Sequence, residues 1–172
     1  ANKLPIGRGF GQPVYLTIEI KGENKIISCF PFFEGSVILA SESGHGFKIK
    51  TTNLLAQTKS GKQILSVKDN NKAKICKRIA GDTVAVVGNN RKLITYSIEE
   101  VPELNKGKGV ILQRYKDGTL SDITTFRKED GISWKMNGGR QRTEKDLLTW
   151  EGKRGGVGRM VPNGFPRPPI FN

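Results

Sequence analysis

The chain has 172 residues, 29 of them Lys or Arg and 16 Asp or Glu, giving a formal charge of +13 with its one histidine neutral. Apolar residues make up 35% of it, lean for a helical core but enough for one β domain of short strands spanning residues 1–172. The longest apolar runs, Val37 to Ala40 and Val84 to Val87, are far below the about 20 residues of a membrane-crossing helix, so no membrane partner is expected. The opening ANKLPIGRGFG carries no apolar signal core or small-residue cleavage site, which makes the cytoplasm the default expectation.

In chain order, Val14, Leu16, Ile18 and Ile20 alternate with Tyr15, Thr17, Glu19 and Lys21, a period of two that predicts a strand inside a leading region, residues 13–33. His45, flanked by Gly44 and Gly46, reads as a turn residue with no partner for catalysis. Val84 and Val86, Leu93 and Thr95, then Ile132, Trp134 and Met136 repeat the alternation between glycine- and asparagine-bearing turns. Helical turns are predicted only near residues 97–101 and 143–150. Cys29 and Cys76 have no Cys or His at metal-ligand spacing, which excludes a structural zinc site and predicts two reduced, buried thiols. The predicted class is all-β.

Internal repetition organises the rest. KSGKQI (59–64), NKGKGV (105–110) and KRGGVG (153–158) stack on Gly61, Gly107 and Gly156, which lie 46 and 49 residues apart. Six residues before each anchor stands Leu55, Val101 or Trp150, and fourteen before stands Phe47, Leu93 or Arg142. A period in the forties with about four strands per unit predicts propeller-like blades. The units are expected at about residues 35–80, 81–128 and 129–165, followed by a tail at 166–172. Basic residues recur at similar places in each unit: Lys48, Lys50, Lys59 and Lys62; Arg91, Lys92, Lys106 and Lys108; Arg140, Arg142, Lys145, Lys153, Arg154 and Arg159. Arranged radially, they would form a basic band suited to a curved polyanion. Phosphate neutralisation by such a band gives affinity with little sequence preference, and glycine-rich turns could add backbone N–H groups.

The segments SGHGFKIKTTNLLAQTKSGKQIL (43–65), RKLITYSIEEVPELNKGKGV (91–110) and GRQRTEKDLLTWEGKRGGVGR (139–159) resemble the C-terminal domain of the A subunit of bacterial type IIA topoisomerases, more closely that of topoisomerase IV than of gyrase. The resemblance covers residues 13–165. It implies a β-pinwheel, in which blades exchange strands, here short or open. It also implies duplex DNA as ligand, a role in selecting DNA topology for ATP-driven strand passage, and, at the bacterial nucleoid, two protein partners: the rest of the A subunit, plus a B subunit. ATP and Mg would belong to other domains of the holoenzyme, with no cofactor or metal in this one. In gyrase this domain carries a Q-R-R-G-G-K-G box. The nearest match is Gly152, Lys153, Arg154, Gly155, Gly156, Val157 and Gly158, with glycine for the glutamine, valine for the second lysine, and a place in the last unit. Those departures favour topoisomerase IV over a gyrase wrapping domain.

The family's catalytic tyrosine follows an arginine, and Arg114-Tyr115 has that form; it falls on a generic blade position with no acidic cluster around it, so it is read as a decoy. Gly61-Lys62 and Gly107-Lys108 lack the remaining parts of a P-loop. The chain by itself is expected to have no catalytic residue, so any enzyme activity belongs to the holoenzyme. A basic β protein that binds RNA is the alternative from a different class; it accounts for the charge and not for the repeats.

Overall fold

Residues 36–41, SVILAS, form β1 (Ser36–Ser41), an inner strand whose apolar run is buried on both faces because its sheet is packed on either side. The computed structural model describes residues 24–68, 70–136 and 138–171. The strand predicted at residues 14–20 lies outside them. A turn at Glu42–Gly44, with Gly44 at φ +79°, leads into β2 (His45–Lys50). A single 3-10 turn (Thr51–Leu54) and a long loop precede β3 (Ala73–Arg78). The second unit repeats this with β4 (Thr83–Gly88) and β5 (Lys92–Ser97). Arg91, at φ +62°, occupies the left-handed position that Gly44 holds in the first hairpin. Next come a 3-10 turn (Ile98–Glu100) capped by the Ser97 hydroxyl, β6 (Val110–Ile111) and β7 (Leu120–Phe126). The third unit supplies β8 (Ile132–Lys135), β9 (Gln141–Glu144) and β10 (Arg159–Met160).

The sheets reveal strand exchange. The first has the order β3-β1-β2-β6 and the second β10-β5-β4-β7, so each takes its last edge strand from the unit that follows; β8 and β9 form a two-stranded third sheet. This all-β, strand-exchanged arrangement is the expected β-pinwheel. The first strands of the units begin at residues 36, 83 and 132, which are 47 and 49 residues apart.

Alternation within strands builds the cores, because successive side chains leave a strand on opposite faces. Ile38 and Ala40 meet Val84 and Val86 in a core between the first two sheets, together with Tyr96, Leu112 and Ile123. Ala85, Val87 and Leu93 face the other way, onto Ile132, Trp134, Leu147, Trp150 and the C-terminal Phe165 and Phe171. The outer face of the first sheet, Val37, Leu39, Phe47 and Ile49, is covered by loop residues such as Leu54, Ile64 and Leu104. Among the described residues no core joins the third sheet to the first, so the array is open.

Four expectations need correction. The register sets Gly46 opposite Ala40 and Leu93 opposite Val87, so Leu93 corresponds to Gly46 and not to Phe47; the first spacing is therefore 47, and Arg142, opposite Trp134, falls two strand positions further on, level with Thr95. Leu55 is 59% exposed, whereas Val101 and Trp150 are buried as expected. Cys29 is exposed and Cys76 half-buried, so the thiols are free but are not a buried pair. Residues 143–150 do not form a helical turn throughout: β9 runs to Glu144, and only the stretch before Trp150 closes, through its N–H to the Leu147 carbonyl at 2.8 Å.

Candidate nucleic-acid interface

The basic side chains divide by what they already bind. Lys48 is largely covered, and its Nζ lies 3.4 Å from both the Ile98 carbonyl and Glu99 Oε2. Lys50 faces Glu103 at 3.8 Å, and Lys62 donates to the Asn53 carbonyl at 2.9 Å. Arg91 reaches across to the tail, donating to the carbonyls of Pro166 at 2.9 Å and Phe165 at 3.2 Å. Arg142 donates to the Asn163 carbonyl, pairs with Glu144 at 3.7 Å and lies over the Trp134 ring. Lys92 is half-buried at the start of β5. By contrast Lys59, Lys106, Lys108, Arg140, Lys145, Lys153 and Arg159 are exposed, and no side-chain hydrogen bond or ion pair engages them among the described residues. The basic band is therefore uneven. Charges that sequence spacing treats as equivalent are spent inside the fold at Lys48, Arg91 and Arg142.

The glycine box is bound into the fold as well. The N–H of Arg154 is taken by Glu100 Oε2 at 2.9 Å, that of Gly155 by the Leu112 carbonyl at 3.0 Å, and that of Gly156 by the Lys153 carbonyl at 3.0 Å. Three successive donors are thus satisfied internally, and this run does not form the anion-binding nest that glycine turns can provide. The Gly156 carbonyl accepts from Arg114 N–H, and Gln113 Nε2 donates to the Val157 carbonyl at 2.9 Å and the Lys92 carbonyl at 3.0 Å. Gly158, at φ +81°, passes so close that a methyl group there would lie 2.5 Å from the Leu93 carbonyl oxygen. Gly109 makes the matching approach to the Gly46 carbonyl one blade earlier. The box is the clasp by which the third unit holds the edge of the second sheet; Lys153 is its unengaged cation among the described residues, and Val157 stands where the previous clasp carries Lys108.

Where β6 meets this clasp the surface forms an open groove of about 510 Å³ lined by His45, Lys108, Arg114 and Arg154. Arg154 is fixed there by donating to the Ile111 carbonyl at 2.9 Å. Among the described residues no carboxylate lines the groove. His45 begins β2 opposite Ile111, and its Nδ1 lies 3.0 Å from the Ser43 hydroxyl. Its pKa is pushed below the ordinary imidazole value by burial and by the nearby Lys108. Sequence reasoning left His45 and Arg114 out of the basic set. The signal for Arg114 was present, a cation just after the repeated KGKGV run, but the tyrosine beside it carried the more conspicuous motif.

Tyr115 itself is packed. A methyl group on either Gly44 or Gly88 would come within 2.6 Å of its ring, so the ring is wedged between the hairpins of the first two units. Its hydroxyl is buried without a partner among the described residues, and burial raises its pKa well above the ordinary phenol range. Among the described residues no group of three or more His, Cys, Asp or Glu side chains could hold a metal ion.

Exchanged-strand blades carrying cations left unengaged among the described residues define a basic β-pinwheel module. The profile of the family described as DNA gyrase C-terminal domain, beta-propeller matches residues 35–75 and 82–127. The chain belongs to this family, the C-terminal domains of the A subunits of type IIA topoisomerases. It is 44% identical over 165 residues to the A subunit of DNA topoisomerase 4 from Caulobacter vibrioides, covering 95% of this chain and 22% of that one. It is 40% identical over 168 residues to the protein of the same name from Rickettsia bellii, covering 97% and 23%. The chain therefore spans under a quarter of the length of these relatives. The solved E. coli ParC C-terminal domain superposes with a TM-score of 0.79 at 19% identity, covering 94% of this chain and 70% of that one. For the DNA gyrase A C-terminal domain the TM-score is 0.64 at 15% identity, with 77% and 49% covered.

Proposed function

We propose that this chain is the duplex-binding module of the A subunit of a topoisomerase IV, which bends DNA across its basic rim and so helps to choose the crossings presented for ATP-driven strand passage. The observation that carries the reading is the set of cations unengaged among the described residues: Lys59, Lys106, Lys108 and Lys153 on the loops of successive units, and Arg159 at the start of the exchanged strand β10. Its relatives' shared name supports topoisomerase IV over gyrase, as do the valine at Val157 and the internally bonded box. Cleavage and ATP hydrolysis belong to the remainder of the holoenzyme, its B subunit included, with Mg and ATP held there.

Bending 20–30 bp costs of order 1–6 kcal/mol, so several phosphate contacts must act together. With roughly six phosphates neutralised, log affinity should fall against log salt with a slope near −5. Fluorescence anisotropy with duplex DNA, duplex RNA and single-stranded DNA of equal length tests this. A flat salt response, or a preference for duplex RNA, would defeat the reading and favour the RNA-binding alternative.

A further inference from the structure

We infer that the groove between the first two blades is the principal phosphodiester anchor of this domain, in which Lys108, Arg114 and Arg154 hold adjacent phosphates and His45 joins them as a donor when it takes up a proton. The inference rests on the duplex-binding reading and departs from an evenly shared band.

Strand exchange makes the site. His45 and Ser43 come from the first hairpin, Lys108 and Arg114 from the two sides of β6, and Arg154 from the clasp of the third unit, so three repeats converge on one concavity. Arg154 is held in place by the Ile111 carbonyl; no carboxylate is among the lining residues, and with Glu100 bonded to the Arg154 N–H the groove keeps a net positive charge. A prepositioned guanidinium in a concave basic surface suits a phosphodiester, whose oxygens accept several donors at once. At the next blade junction Lys92, Val157 and Asn163 stand at the places of His45, Lys108 and Arg114, and of the two arginines lining the groove there, Arg91 and Arg167, Arg91 is bonded to tail carbonyls.

The groups facing His45 are the Ser43 hydroxyl, itself bonded to Asn71, then Lys108, and across the groove Arg114 and Arg154. Burial, and after it the Lys108 charge, disfavour the imidazolium in the free protein and lower its pKa. A bound phosphodiester reverses the local potential and raises that pKa, so binding must be accompanied by proton uptake, and affinity must rise as pH falls. This is the chain's one histidine. Lys and Arg do not titrate between pH 6 and 7.5, and the α-amino group, which does, is common to wild type and His45→Gln, so their difference isolates the groove.

The experiment measures binding of the 172-residue chain to a 40-bp duplex by anisotropy at pH 6.0 and 7.5 and fixed ionic strength, with the single imidazole followed by NMR. Lys108→Ala/Arg114→Ala, both exposed, should weaken binding by about tenfold or more and reduce the salt slope by about two. His45→Gln should remove a pH dependence of about threefold, while duplex added to the wild type should raise the imidazole pKa. If the wild type binds and the double variant matches it, or the imidazole pKa does not move, the anchor is refuted and the broader reading stands. If the wild type fails to bind duplex at all, the broader reading fails and the anchor with it. Circular dichroism of each variant separates lost contacts from lost fold; if the alanine pair unfolds, Lys108→Gln with Arg114→Gln is read by the same criteria.

Discussion

Replacing Gly158 with alanine separates a structural clasp from a DNA clamp, and Gly61→Ala supplies the comparison. The two glycines share nearly the same backbone conformation, φ +81° and +78°. A methyl group at Gly61 meets nothing within 4 Å among the described residues, whereas at Gly158 it lies 2.5 Å from the Leu93 carbonyl oxygen and 3.0 Å from Gln113 Nε2. Both substitutions carry the left-handed penalty of about 1–2 kcal/mol, offset by about 0.4–1 kcal/mol from a stiffer unfolded chain. Only Gly158→Ala must also push apart packed backbone and disturb the Gln113 bonds to Lys92 and Val157, which adds about 1–3 kcal/mol. The net expectation is roughly 2–4 kcal/mol for Gly158→Ala against about 1 kcal/mol or less for Gly61→Ala. In a domain of this size each kcal/mol lowers Tm by about 2–4 °C, so the first variant should melt roughly 5–15 °C lower and the second by no more than about 4 °C. Scanning calorimetry on both reads the difference. Since neither removes a cation, the salt slope of DNA binding should be unchanged wherever the fold persists. Equal Tm shifts would refute the close-approach argument. A folded Gly158→Ala variant that no longer binds duplex would show that the box contacts DNA directly.

Tyr115→Phe removes a buried hydroxyl without a partner and keeps the ring between Gly44 and Gly88, so stability should be unchanged or rise by about 1 kcal/mol in urea titrations, and a reconstituted holoenzyme should still form its covalent DNA adduct. Asp122 accepts from Lys77 at 2.6 Å, from its neighbour Ile123 and from the tail N–H of Phe171 at 2.9 Å, and Asp122→Ala should cost about 2–4 kcal/mol by urea denaturation. At pH 8 a thiol reagent should label exposed Cys29 at once and Cys76 slowly, because burial raises the Cys76 pKa and leaves less thiolate; equal rates would contradict that placement. Lys153→Ala alone should lower the salt slope by about one, and loss of all binding would restore a gyrase-like box.

The class, the repeating unit and its period were legible because alternation and glycine punctuation are local. Register was less so. Gly61 looks like Gly107 in sequence, but it is the ladder pairing, not residue identity, that sets the spacing at 47. The cations were legible as a set and not as individuals. That Arg91 would bond tail carbonyls and Arg142 those of Asn163 depends on where residues 161–171 fold back, and nothing near either arginine signals it. The groove was invisible for a related reason: His45, Arg114 and Arg154 belong to three units and become neighbours only through exchange of β6.

That exchange also fixes what the rim can do with DNA. The loop of Lys106 and Lys108 ends in β6, which is paired into the first sheet, while the chain just beyond it accepts the clasp of the third unit through Leu112 and donates to it through Arg114. Cations on such a loop have a backbone held from both sides, so little loop ordering is needed on binding, and the affinity of each contact is less diminished by lost entropy. Lys153 is similarly placed by the bonds of Arg154, Gly155 and Gly156. An anchor at one blade junction with dispersed cations beyond it will hold a duplex and deflect it, but the three described blades, with no core joining the third sheet to the first among the described residues, offer no continuous track for a full turn. Nicked circles ligated in the presence of the domain should therefore trap little linking-number change per bound molecule. A large trapped writhe of either sign would mean that DNA follows a longer path than the unengaged cations mark, and the positions occupied by Lys48, Arg91 and Arg142 would then have to release their internal partners to serve it.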